Sequence, residues 1–507
     1  MAATTIRDIG VADVEKSVDP AVGVVLDEIY LGTSSGNLIK AIDIDRVEVL
    51  LGPHGTLFGR NAIGGIINLS RSRPTNFLSG KFRGTYENYD TLKLEGVVSF
   101  LLTDWAAVKF TGAYQRTDGF IYNSLQDQNG QRSNFSAYGI QLLLTPMPAL
   151  EISFSFDDQH TRQDPPQLQN LARPTDLFCA AYGQCAQSLR VPQSGDRYVS
   201  VSDGPLGKNA FFDMNLGIAK VNYEISPSLD ATYTYGRMET DEGITQDFDG
   251  TTLPLYHTDR PATYHQDTHE LRLSKTGGPL TFVIGGYYWD SAYRIDLVSR
   301  IGFAVPNAIV AIPQTVRQTT RSYAGFFEAD YQATDRLKLT VGGRYTHDKK
   351  SSGVTDYGFG PNDNLEDPES TTWSKFTPKV SVSYNLTDDI LAYALFSRGY
   401  RAGGYTGRPT SLNTATTPYD PEVVDNYEIG FKSELFDRRV RLNASAFFMQ
   451  YDDKQEDIDV PVPSGTGREN RTINASSAEM KGVELDMTAV PIDGLTLTGN
   501  FGYLDAK

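Results

Sequence analysis

The sequence predicts a membrane β class: an antiparallel transmembrane β-barrel preceded by a smaller N-terminal unit of different character. Three observations carry this. Short segments alternate apolar and polar residues, as a wall with lipid outside and water inside requires. Their connections alternate between a few residues and long polar stretches, the asymmetry of barrel turns and outer loops. Lastly, at 507 residues, 39% hydrophobic content and a mean hydropathy of −0.35, no run approaches the ~18 to 20 apolar residues of a membrane helix, whereas a barrel strand needs only ~9 to 11 half-apolar ones.

The N-terminal eighty residues read as two strands, Ala21 to Leu31 and Asp43 to Leu50, followed by the glycine-rich run LGPHGTLFGRNAIGGIINLSRSRP from Leu51 to Pro74, which breaks regular structure. Gly59 and Gly64 have the spacing of a phosphate-binding loop, but Gly65 and Ile66 stand where Lys and Ser or Thr are needed, so that reading fails. Beyond Gly80, Leu150, Ile152, Phe154 and Phe156 oppose Glu151, Ser153, Ser155 and Asp157. The same alternation recurs at Leu337 to Thr346, Arg439 to Phe448 and Leu495 to Tyr503, while the run from Phe211 to Glu224 changes phase and predicts a bulge or a shifted boundary. Trp105, Trp289 and Tyr331 are expected in an interfacial aromatic girdle. The stretches Gln159 to Asn209, Glu239 to Pro261, Asp348 to Thr372 and Asp452 to Asn474 read as solvated outer loops.

A net charge of −17 argues against nucleic acid as a partner. Cys179 and Cys185 lie in the longest outer loop and are expected to form a disulfide, with two free thiols or, less readily for want of a nearby His, a metal site as the alternatives. His265, Asp267 and His269 share one face, but Leu271 and Leu273 continue it into lipid, which places the trio at the outer rim. No Ser/His/Asp arrangement at motif spacing occurs, and neither catalysis nor a cofactor is expected.

The stretch RVEVLLGPHGTLFGRNAIGGIINL, Arg46 to Leu69, resembles the end of the plug domain of TonB-dependent outer-membrane transporters; SRGYRAGGY, Ser397 to Tyr405, and the segments His269 to Asp290, Asp425 to Asp453 and Glu479 to Ala506 resemble its barrel. The resemblance implies a 22-stranded barrel around a plug, of which about 17 strands and the C-terminal part of an α+β plug are present, with the plug at 1–76 and the barrel at 77–507. It also implies a bacterial outer-membrane location and import of a scarce nutrient, above all a ferric siderophore, energised by the inner-membrane TonB complex, whose contact box has no counterpart here. The chain reads as a piece that does not close a barrel by itself. A passive porin, and uptake of a carbohydrate or cobalamin, are the alternatives. Haem is disfavoured, since SRGYRAGGY lacks the haem-receptor motifs.

Two positions depart from the family pattern: Leu51 stands where an Arg precedes Gly-Pro, and Asp8 where a Gly is usual. Family plugs are held partly by arginines facing wall carboxylates, which implies Arg46, Arg60 and Arg71 on the plug and Glu270, Glu328, Glu428 and Glu484 on the wall. Substrate contact is expected at the plug turn Gly32 to Lys40, with Thr33, Asn37 and Lys40, and at the loop base with Tyr400, Arg401 and Tyr405, where aromatic and cationic groups suit an anionic chelate.

Overall fold

The computed structural model describes residues 4–11, 16–33, 42–171, 175, 196–207, 209–305, 308–355, 365–409, 411–461, 468–475 and 477–507. Cys179, Cys185, Asn37 and Lys40 lie outside the described residues.

The N-terminal unit is a four-stranded sheet of β1 (Val22–Leu26), β2 (Ile29–Leu31), β3 (Ile44–Leu51) and β4 (Gly65–Arg71), with one short helix, α1 (Gly55–Phe58). The single strand expected over Ala21 to Leu31 is a hairpin instead: Asp27 and Glu28 take φ of 46° and 73°, the left-handed pair that a two-residue turn needs. The sheet order is β2-β1-β4-β3, with β1 and β4 parallel. All eight residues of β1 and β2 are buried, so this sheet forms a dry centre rather than a surface flap.

Among the described residues, seventeen long antiparallel strands, with the four-residue strand Tyr256–Asp259 inserted between two of them, then form a wall. They are β5 (Ser79–Glu87), β6 (Thr91–Thr103), β7 (Ala106–Thr117), β8 (Ser133–Met147), β9 (Leu150–Gln163), β10 (Ala210–Ser226), β11 (Leu229–Asp247), β12 (Ala262–Lys275), β13 (Leu280–Val305) and β14 (Ala308–Gln332). There follow β15 (Leu337–Thr355), β16 (Leu365–Thr387), β17 (Ile390–Arg401), β18 (Glu422–Leu435), β19 (Val440–Asp452), β20 (Ala478–Ile492) and β21 (Leu495–Ala506). Each pairs with the next, and the sheet curls into a barrel around the N-terminal unit. Among the described residues β5 holds register with β6 and β21 with β20 alone, and both end strands are exposed along most of their length.

Connections of two to four residues mark one rim. The opposite rim is less regular than the sequence predicts. β5 and β6 join through three residues there, and β13 and β14, of 26 and 25 residues, pair nearly to their tips. Because ~9 to 11 residues cross a bilayer, this hairpin stands well above the membrane and does the work of a loop in strand form. For the same reason β9, β11 and β15 run past the starts of the expected loops, to Gln163, Asp247 and Thr355.

Two further expectations are corrected. The run from Phe211 to Glu224 holds unbroken register on both sides, so no bulge explains its change of phase. Phe212, Met214, Leu216 and Ile218 face inward and pack with Met238 against Val24, Leu26, Ile29 and Leu31, which makes this stretch of the inner surface apolar. Trp289 is not in the girdle: it faces inward, is fully buried, and stacks obliquely on Tyr30 at 5.6 Å, whereas Trp105 and Tyr331 are exposed.

Candidate functional site: the interface between the N-terminal unit and the wall

The first described segment carries the best-formed contact. Ile6 and Ile9 close a two-residue turn by mutual backbone hydrogen bonds, with Arg7 and Asp8 at φ of 50° and 62°. Asp8 therefore occupies a left-handed position, which glycine fills most easily and Asp tolerates. The turn aims Arg7 at β18 and β20. Its Nε and Nη2 donate to both oxygens of Glu484, at 2.8 and 2.5 Å, and its Nη1 donates to Glu428 at 3.1 Å. The guanidinium lies 3.9 Å from the centre of the Phe447 ring, and the Arg7 side chain is 4% exposed. Burial disfavours its charge, but Glu484 and Glu428 outweigh that and raise its pKa.

Glu428 and Glu484 thus do meet an arginine of the N-terminal unit, but it is Arg7 rather than Arg46, Arg60 or Arg71. Arg46 pairs at 3.5 Å with Glu48 of its own strand and is exposed. Leu51, where an arginine is usual, is half exposed, and Arg7 Nη1 reaches the neighbouring corner at Gly52. Arg60 and Arg71 do reach the wall, at aspartates. Arg71 binds Asp27 at 2.6 Å within its own unit and donates to Asp157 at 2.5 Å and Ser155 at 3.0 Å on β9. Arg60 lies 4.0 Å from Asp348 on β15 and 4.7 Å from the Trp289 ring. Its charge is penalised by burial yet favoured overall by Asp19 and Asp348, so its pKa is raised. Glu270 and Glu328 pair within the wall, with Arg272 and with Lys379 at 3.0 Å.

Besides the more exposed pair of Lys220 with Glu28 at 2.6 Å, two buried contacts run the other way, from wall lysines to carboxylates of the N-terminal unit. Lys350 on β15 binds Asp19 at 2.6 Å, and Lys109 on β7 binds Asp43 at 2.9 Å. Both lysines are 1% exposed. Burial pushes the Asp19 carboxyl up, but Lys350, Arg60 and Arg401 outweigh it and hold the pKa below the usual value. The inward parity that includes Thr340, Arg344 and Thr346 continues to Asp348 and Lys350, so these two were within reach of the sequence pattern; Arg7 and Asp19, in irregular segments, were not.

The four expected substrate contacts among the described residues are shut in. Tyr400 and Tyr405 are 1% exposed, Thr33 2% and Arg401 4%. The Tyr400 hydroxyl donates to Asp348 at 2.7 Å, while its carbonyl accepts from the Asn61 backbone N–H at 2.9 Å. Arg401 is held by Glu422 at 2.7 Å, and Tyr405 meets Thr371 at 2.8 Å. Glycine-loop residues of the N-terminal unit cover the SRGYRAGGY segment, which is why these side chains do not line an open mouth. The sheet also closes backbone to wall: Gly32 N–H donates to Gln266 at 3.0 Å, and Gln266 donates to the Tyr30 carbonyl at 2.9 Å.

A seventeen-strand wall with a mixed sheet seated inside it by charge pairs and backbone contacts is the geometry of a plugged barrel. Residues 188–507 match the family model for the TonB-dependent receptor-like β-barrel, and residues 2–66 match the TonB-dependent receptor plug domain. This chain belongs to the TonB-dependent receptors. Similar curated proteins include the pesticin receptor of Yersinia pestis, 26% identical over 95% of this chain and 66% of that protein, and the metal-pseudopaline receptor CntO of Pseudomonas aeruginosa, 22% identical over 93% and 64%. The chain therefore spans about two thirds of the length of these relatives. Among solved structures it resembles the ferric yersiniabactin uptake receptor FyuA of Yersinia pestis, with a TM-score of 0.81 at 21% identity over 99% of this chain and 72% of that one. It also resembles the pyoverdine receptor FpvA of Pseudomonas aeruginosa, with a TM-score of 0.70 at 18% identity over 100% and 72%. These likenesses establish the fold. The family places the receptor in the outer membrane of Gram-negative bacteria.

Proposed function

We propose that this receptor takes part in the import of a ferric siderophore across the bacterial outer membrane, driven through contact of its plug with the TonB complex, and that it acts in transport rather than catalysis. The observation that carries the reading is the seated plug: charge pairs such as Arg7 with Glu428 and Glu484 fasten it, and water can replace such pairs once they separate. Its relatives include receptors for metal-pseudopaline and ferripyoverdine and an uptake receptor for ferric yersiniabactin, which favours a metal chelate over a carbohydrate or cobalamin. A passive porin fits less well, because it needs an open lumen.

The same reading takes residues 1–76 as plug and 77–507 as wall, with outer-membrane lipid around the wall. It assigns the plug lock to Arg7, Arg60, Arg71, Lys109 and Lys350 with their carboxylates. Substrate contact is assigned to the plug turn Gly32 to Lys40, whose aromatic-free, polar sequence offers its polar groups to a ligand. The test restores the gene encoding this chain to a receptor-null strain and supplies defined iron chelates, a carbohydrate or cobalamin. Growth on one class of ferric chelate, abolished by collapsing the proton-motive force, is expected. Energy-independent uptake with liposome conductance like that of an open channel would instead favour the porin.

A further inference from the structure

On the outer face of the wall, register aligns four rows across β11 to β15. The top row is charged: Arg237, Asp267, Asp290, Arg321 and Lys349. Beneath it stands a row of rings, Tyr235, His269, Tyr288, Tyr323 and His347, and beneath that Tyr233, Leu271, Gly286, Gly325 and Tyr345. The fourth row returns to apolar bulk with Leu273, Ile284 and Phe327. Gly286 and Gly325 are direct cross-strand neighbours, and a Cβ at either would meet no atom within 4 Å. The pair floors a groove of about 510 Å³ walled by Leu271, Tyr288, Tyr323 and Tyr345.

Glycine within a strand forfeits packing and conformational stability, and where kept it often marks a bulge or a close approach by another group. The register here is continuous, so no bulge accounts for the pair. Apolar side chains below, rings with polar edges beside, and charge above is the order of groups met on passing from hydrocarbon to headgroup. Arg321 shares Asp290 through its Nε at 2.8 Å, while Lys349, exposed beside it, makes no ion pair among the described residues, leaving net positive charge over the groove mouth.

We infer that the Gly286–Gly325 groove seats one acyl chain of a membrane lipid whose phosphate headgroup is held by Arg321 and Lys349. The glycines give depth for the chain, the ring row brackets it at the interface, and the two cations select an anionic head. The site is independent of the imported substrate, so it stands or falls apart from the transport reading.

The test takes the chain in dodecyl maltoside micelles, adds dipalmitoyl phosphatidic acid or dipalmitoyl phosphatidylcholine, and counts retained lipid by native mass spectrometry. One phosphatidic acid per chain is expected, preferred about tenfold over the zwitterion, the size of effect that interfacial cations supply. The double change Gly286→Leu with Gly325→Leu should remove that retained lipid, and Arg321→Gln with Lys349→Gln should keep a chain bound but equalise the two lipids. Ala394→Leu, which fills a second outward hollow beside Ile429 and Phe448, is the matched control and should leave retention unchanged. Undiminished retention in the leucine pair, equal binding of both lipids by the parent, or the same loss in the control would each overturn the proposal.

Discussion

Removing the Arg7 side chain should loosen the plug more than any other single arginine change in its exposed or half-exposed segments. The guanidinium makes three hydrogen bonds to two carboxylates and is 4% exposed, so Arg7→Ala strands Glu428 and Glu484 together. Breaking a buried pair from one side costs about 3–5 kcal/mol. Glu484 remains 29% exposed and Glu428 keeps a hydrogen bond from Tyr393 at 2.8 Å, so about 3 kcal/mol, the low end, applies. Loss of the contact with the Phe447 ring adds about 1 kcal/mol. A total near 4 kcal/mol corresponds to about a thousandfold in the opening equilibrium. Arg7→Lys keeps the charge but not the fork, and should recover about half of that loss. Hydrogen exchange over residues 4–11 and 44–51, in the parent, Arg7→Ala, Glu484→Ala and the double variant, measures the opening. A coupling of about 2 kcal/mol between Arg7 and Glu484 is expected, whereas Arg46→Ala should shift opening by less than about 0.5 kcal/mol, as surface pairs do. Strictly additive effects, or an Arg46 variant as disruptive as Arg7→Ala, would refute the assignment.

Gly32→Ala drives a Cβ into the buried Trp289 ring and should lower the urea midpoint of the plug by the equivalent of about 2 kcal/mol, from overpacking. Trp289→Ala should cost about 3–5 kcal/mol through the cavity it leaves, and combining the two should cost less than their sum, because each relieves the fault of the other. The plug should also weaken in acid in two steps, measured as urea midpoints at pH 7.5, 5.5 and 3.5. Burial lowers the His54 imidazole although its Nδ1 meets the Gly52 carbonyl at 2.9 Å, so the unfolded chain binds the proton first and stability falls as pH drops below about 6.5. His54→Gln should flatten that step. Asp19, held below the usual carboxylate value against the effect of burial by Lys350, Arg60 and Arg401, stabilises the plug above about pH 4, a contribution lost as pH falls through the depressed value. Asp19→Asn should abolish that lower step at a general cost in stability.

Strand alternation made the wall legible because the bilayer constrains one face of every strand alike, and the long segments Leu150 to Gln163 and Val440 to Asp452 obey it in full register. Parity assigns a side chain to a face, however, not to a height or a partner. It placed Glu428 and Glu484 inward correctly, yet the partner of Glu484 lies 477 residues away, in a turn whose position depends on the whole plug being seated. It could not separate Trp289 from the girdle, since an inward tryptophan is unexpected only if the lumen is assumed wet. That assumption is where the pattern is most informative. A lumen filled with water should be lined by polar groups at every inward position, and Phe212, Met214, Leu216, Ile218 and Met238 break the rule together. At ~25 cal/mol per Å² of apolar surface, leaving such a patch in water is costly, so an apolar inward run on one strand and its neighbour requires a dry cover. Val24, Leu26, Ile29 and Leu31 of the plug supply it. The apparent loss of phase between Phe211 and Glu224 is therefore the imprint of the plug on the wall, readable in the sequence once the inner surface is allowed to be dry where something sits against it.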